Sequence, residues 1–262
     1  MRRMKTQQKT ARRSESVAAW TADLRRSLRR GGSPAIARSN QRFFAEPVRG
    51  YGWKTADLRR FARRTQRELF AEGGLSLLLQ VADRLFAGKV TEEKNLAVLL
   101  LENRARDFGD AEFRRFERWL PRITNWSEHD ALVHSLIGPL MVAGRRRVAR
   151  AFLWARSGNP WHRRAAAVSL IHATRRRLYF REITRLSGQL LSDQNEMVQK
   201  GLGWLLRETA KADPARTVPY LRKIRTRASR LVLRTACETL PAVTRRKILT
   251  LTSNSKSKKL SS

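Results

Sequence analysis

Apolar positions recur at helical spacing along most of the chain, and almost nothing alternates with period two. Ala18, Leu24 and Leu28 open a first stripe; Leu58, Phe61 and Ala62 belong to a second; Leu75, Leu78, Leu79, Ala82 and Leu85 form a third. Glycine, proline and capping residues punctuate the pattern. Glu72-Gly73-Gly74, Phe108-Gly109-Asp110, Ala143-Gly144, Ser157-Gly158-Asn159-Pro160 and Ala212-Asp213-Pro214 each close one helix and open the next. The prediction is an all-α core of helices about 10 to 18 residues long.

These helices come in pairs with a period of roughly 35 to 45 residues, the length of a HEAT or armadillo repeat. The stretches Asn159–Ala166 and Asp193–Gly201 both begin with a capping residue and continue with small residues suited to a buried seam. The expected architecture is a right-handed solenoid of HEAT-like helical repeats with a concave basic DNA-binding face. A generic helical bundle is the alternative that the same loose periodicity allows. Outside the repeats, residues 1–14 are rich in Arg, Lys, Gln and Thr without an apolar stripe, and 252–262 are rich in Ser, Lys and Asn. Both read as disordered tails flanking a repeat domain over 15–251.

Charge sharpens this picture. The chain carries 56 Lys+Arg against 22 Asp+Glu, a formal net charge of +34, while 41% of its residues are apolar. An excess of that size strains a compact state unless a polyanion neutralises it, and nucleic acid is the expected partner, double-stranded DNA where the solenoid's basic groove follows a duplex. Adhesion to ribosomes or anionic membranes is the alternative on charge alone. No apolar run approaches the roughly 20 residues that cross a bilayer, so a soluble, monomeric protein is expected, cytoplasmic and nucleoid-associated if bacterial. Cys237 is the only cysteine, and His129, His134, His162 and His172 never adopt a metal-ligand spacing. With no glycine-rich phosphate loop either, neither metal nor cofactor is expected.

Three segments break otherwise ordinary helix patterns. In Thr124–Leu132, Ser127 as N-cap would place Asp130 third in the helix, where its carboxylate could complete a capping box, and Trp126 could be a hydrophobic staple. In Trp154–Arg164, Asn159 caps, Pro160 takes the first helical position, and Arg163 and Arg164 oppose the helix dipole, which calls for a phosphate or carboxylate partner. In Val198–Glu208, Val198, Leu202 and Leu205 form the core stripe, with Trp204 at its edge between Lys200 and Arg207. A tryptophan flanked by cations suits a nucleic-acid face; plain core packing is its alternative.

In this order, on a helical-repeat background, these segments resemble the AlkD-like DNA alkylation repair glycosylases, from about Phe43 to Leu240. Tyr51–Arg60 resembles the family's N-terminal segment, Asn125–Asp130 its Trp/Asp motif, Trp161–Arg164 its arginine motif and Gln199–Glu208 its second tryptophan motif. The resemblance implies that Trp126, Asp130, Arg164 and Trp204 line a lesion site. It further implies that Lys54, Lys200 and Arg207 contact the DNA backbone, and Arg163 joins them as a DNA-binding candidate. Ala56 stands where the family often has Pro, and Trp53 where an aliphatic residue is usual, which leaves the N-terminal contacts open. The implied activity is monofunctional hydrolysis of the N-glycosidic bond of cationic alkylated purines, 7-methylguanine or 3-methyladenine, with the base able to remain stacked. An aspartate beside the sugar stabilises its cationic transition state. A non-catalytic HEAT scaffold for bent or branched DNA is the alternative, and the presence of Asp130 argues against it.

Overall fold

A computed structural model describes residues 2–250, with side chains from Ser16 onward. Among the described residues every regular element is helical, and the chain divides into two compact units at Ile137/Gly138. The tail expected over 252–262 lies outside the described residues. Of the arm expected over 1–14, the backbone from Arg2 continues the first helix where coil was expected.

The first unit contains α1 (Arg2–Gly31), α2 (Pro34–Gln41), α3 (Thr55–Phe86), α4 (Thr91–Leu99), α5 (Asp110–Glu117) and α6 (Trp126–Leu132), followed by a π-helical turn, Val133–Ile137. The Glu72-Gly73-Gly74 stop is a kink inside α3, where Gly74 has φ +60° and ψ −157°, a backbone that a Cβ would strain. Glu72, just before the kink, accepts hydrogen bonds from Ser16 Oγ (2.6 Å) and Trp20 Nε1 (2.9 Å), so the break is tied to α1. Beyond it Leu78, Leu85 and Phe86 are fully buried, and Phe86 stacks on Trp119 with ring centroids 4.4 Å apart.

Residues 49–53 lie across the start of α4. Both oxygens of Glu92 accept backbone N–H bonds, from Tyr51 (2.9 Å), Gly52 (2.8 Å) and Trp53 (3.3 Å). Trp53 donates its indole N–H to Leu28 O at 2.8 Å and lies so close to Gly31 that a Cβ there would come within 2.4 Å of its ring. The unusual tryptophan therefore acts as a pin between α1 and α3, with the glycine making room for it.

The second unit contains α7 (Gly138–Val142), α8 (Arg145–Trp154), α9 (Pro160–Val168), α10 (Ile171–Thr174), α11 (Phe180–Leu190), α12 (Glu196–Ala212), α13 (Pro214–Ile224), α14 (Arg230–Ala236) and α15 (Ala242–Leu249). Here α9, α12 and α14 pack side by side as one layer, while α8 and α11, and α13 and α15, pack as their partners in a second. This is the helix-pair stacking of a HEAT-like repeat. The second helix of each pair starts from a capping side chain: Asn125 for α6, Asn159 for α9, Asn195 for α12 and Ser229 for α14. From 125 to 159 to 195 to 229 the spacing is 34, 36 and 34 residues. Cys237 is buried, and burial pushes its thiol up to about 11, so almost no reactive thiolate exists at neutral pH.

Candidate functional site

The first turn of α6 departs from the sequence expectation in one respect that matters. Asn125, not Ser127, is the N-cap: its Oδ1 accepts from Glu128 N at 3.1 Å. Glu128 thus occupies the third helical position expected for Asp130, and Asp130 has no capping duty. Glu128 is itself part of a buried ionic knot. Its carboxylate accepts from Lys94 Nζ (2.8 Å), Thr91 Oγ1 (2.9 Å) and Thr124 N (2.9 Å), while Lys94 also donates to Arg122 O at 2.7 Å. Side-chain exposure is only 2% for Lys94 and 1% for Glu128. The knot bolts the turn before α6, and hence Trp126 and Asp130, onto α4.

Trp126 is half-buried, stacks on Phe44 with centroids 5.2 Å apart and an interplanar angle of 20°, and donates its indole N–H to Phe43 O at 3.1 Å. Asp130 follows one helical turn later on the same side of α6. Its Oδ1 lies 2.7 Å from Nδ1 of the fully buried His129, which fixes the carboxylate's rotamer while a quarter of the Asp130 side chain stays exposed. An oriented, partly solvated carboxylate beside an indole face is equipped to stabilise developing positive charge.

In the second unit Asn159 caps α9 and Pro160 is its first residue, as predicted. The two arginines that follow have different fates. Arg163 forks onto Asp193 (Nε to Oδ2, 2.6 Å) and donates to Ser157 O (2.9 Å) and Gly158 O (3.0 Å), so a protein carboxylate partners it and it clamps two repeats together. Arg164 is buried at 5% exposure and donates to Met197 O at 2.7 Å. A Cβ on Gly201 would sit 3.0 Å from Arg164 Cγ, so the glycine lets α12 close on the arginine stem. Trp204, one turn beyond Gly201, is half-buried at the edge of a stripe in which Val198, Leu202 and Leu205 are fully buried.

The remaining cations differ in availability. Lys54 is exposed at the N-cap of α3. Lys200 is exposed and pairs with Glu196, one turn back, at 2.7 Å in a solvent-exposed ion pair. Arg207 is held by Glu208 (3.2 Å) and by Glu238. Burial pushes Glu208 upward, but Lys211 and Arg207 outweigh it and hold the carboxyl below its ordinary value. Arg207 is therefore committed within the protein, and its expected phosphate contact would have to displace two carboxylates.

Asp130, Arg164, Lys200 and Arg234 each stand five residues after the cap of α6, α9, α12 and α14, and Asn95 stands five after Val90, the capping position of α4. Equivalent helices present equivalent positions on the same face, so this register marks one polar row within each unit. Asn95 and Arg234 belong to it although neither lies in a recognisable motif. Their shared register is visible in the sequence when the repeats are set on their N-caps. Within the first unit Asn95 Nδ2 reaches Ser127 Oγ in the first turn of α6 at 3.5 Å.

Capped helix pairs with a row of polar groups define a HEAT-like all-α repeat protein. Residues 24–240 match the DNA alkylation repair enzyme family, and the chain belongs to that family. Among solved structures it resembles one from Enterococcus faecalis described as a predicted DNA alkylation repair enzyme, with TM-score 0.72 and 17% identity over 80% of this chain and 97% of that one. It also resembles smu.31 from Streptococcus mutans UA159, with TM-score 0.50 and 18% identity over 70% of this chain and all of the other. No curated protein matches it. No described helix is long and apolar enough to cross a membrane.

Proposed function

We propose that the protein is a monofunctional DNA glycosylase that hydrolyses the N-glycosidic bond of cationic alkylated purines in duplex DNA. The observation that carries the proposal is Asp130: its carboxylate is relieved of capping by Asn125, oriented by His129 and adjacent in helical register to Trp126. Such a group lowers the barrier by facing the positive charge that grows on the deoxyribose as the base departs, and it can orient the water that attacks the sugar. In the second unit, Arg164 and Trp204 are assigned to the DNA near the lesion. Lys54, Lys200 and, after exchange of its carboxylate partners, Arg207 are assigned to phosphates.

A purine alkylated at N7 or N3 carries positive charge and leaves as a neutral base, so little acid catalysis is needed. Single-turnover release of base from matched duplexes containing 7-methylguanine, 3-methyladenine or uracil tests this. Both methylated purines are expected to be released, and uracil, which leaves as an anion, is not. Release of uracil as fast as the purines would rule out the cationic-leaving-group mechanism, and release of none would favour a DNA-binding scaffold.

A further inference from the structure

The two helix layers of the second unit differ in charge. The helices α9, α12 and α14, to which the DNA near the lesion is assigned, carry seven Lys and Arg against two carboxylates. The helices of the other layer carry twelve, four on α8, two on α11, three on α13 and three on α15, against one carboxylate, Glu182. All but Lys223 and Lys247 are arginine. Helices are about 10 to 12 Å across with their side chains, so two stacked layers set their outward faces roughly 20 Å apart. A duplex seated on the first layer leaves the charge of the second without a counterpart.

These cations keep a fixed register. A helix turns roughly 100° per residue, so a residue two positions from a core contact stands on the opposite side. Arg146 stands two before Val148, Arg181 and Arg185 two on either side of Ile183, Lys223 two after Leu221 and Arg246 two before Ile248; all four core residues are buried. The five cations are exposed, as is Arg222 beside Lys223, and none of the six pairs with a carboxylate among the described residues. Stacking across helices holds part of the array in place. Arg185 of α11 lies over Phe152 of α8, 5.2 Å from the ring centroid, and Arg216 of α13 lies over Phe180 of α11 at 4.1 Å. A guanidinium that rests its face on a ring keeps its N–H edge for a phosphate.

Unneutralised like charges repel, and a polyanion relieves the repulsion. An anionic membrane would ask for a broad apolar face as well. Here the apolar faces of the helices are spent on the core, and Leu153 and Val243 are the only large apolar residues exposed on this layer among the described residues. Exposed arginines repeated from helix to helix match instead the phosphates that follow one another along a nucleic-acid backbone.

We infer that the layer of α8, α11, α13 and α15 is a second phosphate-binding surface, which holds a further segment of duplex DNA while the opposite layer engages its own. One molecule then bridges two DNA segments. The inference goes beyond the glycosylase reading and needs none of its chemistry.

The test is the stoichiometry of the full-length protein with a short hairpin duplex at low salt, read as complex mass by sedimentation velocity. One protein chain is expected to carry two hairpins. The variant combining Arg146→Gln, Arg181→Gln, Arg222→Gln and Lys223→Gln should carry one, with Tm unchanged or raised, since these four side chains neither pair with a carboxylate nor stack on a ring. Its affinity for the second hairpin should fall at least about tenfold, and the salt slope of that step should drop by about 3 to 4, each lost phosphate contact removing about 0.9. A single hairpin on the unaltered protein, or a variant that takes up two as readily, overturns the inference. So does a protein that takes one hairpin but binds vesicles of phosphatidylcholine and phosphatidylserine through these four residues, which would assign the surface to a membrane. Stoichiometry requires no bond cleavage, so the two readings fail separately. Two hairpins bound without release of 7-methylguanine would refute the glycosylase and keep the second surface, whereas release by a protein that takes only one would refute the surface alone.

Discussion

Asp130 illustrates what one residue can and cannot reveal. Its type and its place four residues after Trp126 were legible in the sequence, but its freedom from capping was not, because Asn125 and Ser127 are both good N-cap residues. Tertiary structure makes the choice: Glu128 must reach Lys94, and that places the helix start at Asn125. Asp130→Asn should therefore lower single-turnover excision by about 10²- to 10³-fold, the loss typical of removing a group aimed at transition-state charge. Stability should fall only by the weakening of the bond to the buried His129, about 0.5 to 1.5 kcal/mol, since no cap is lost. A Tm drop matching the loss of a cap, with near-normal turnover, would return Asp130 to a structural role. Arg163 shows the opposite case. Its misfit at a helix N-terminus correctly called for an anion, but only the fold supplies Asp193 as that anion.

At the scale of elements, helix pairing and most stops were legible because glycine, proline and capping residues have local causes. The run Thr91-Glu92-Glu93-Lys94 was not. It has the composition of a solvated helix start, yet its residues are 8%, 7%, 4% and 2% exposed. The segment 49–53 and the turn before α6 cover it, and each charge there has a partner from another part of the unit. Removing one member of a buried pair strands the other, so Lys94→Met should destabilise the protein by about 3 to 5 kcal/mol in chemical denaturation. The double substitution Lys94→Met with Glu128→Leu should recover much of that loss. Excision should nevertheless stay depressed in the double variant, because Thr91 and Thr124 lose the carboxylate that fixes the turn before Trp126. Recovery of both stability and rate would show that the knot stabilises the unit without positioning the site.

For the whole molecule, the net charge of +34 predicts affinity for polyanions, but a formal sum counts cations that the fold has already committed. Arg163, Arg207 and Lys94 all hold protein carboxylates, whereas Lys54 is exposed at a helix start and Lys200 holds only a neighbour one turn away. Only cations that reach phosphate release condensed counterions, and each contributes about −0.9 to the slope of log K against log salt. Binding to undamaged duplex should therefore fall steeply between low and physiological salt. Lys54→Ala and Lys200→Ala should each flatten the slope by about one. Arg163→Ala should leave the slope unchanged and lower Tm, because it breaks the clamp to Asp193. Asp130→Asn should bind undamaged duplex at least as well as the unaltered protein, since a carboxylate near phosphate only repels. Fluorescence anisotropy over a range of salt concentrations measures all four. A flat salt dependence would remove DNA as the reason for the charge, and an Arg163→Ala slope reduced as much as that of Lys54→Ala would show that Arg163 exchanges its internal carboxylate for phosphate when DNA binds.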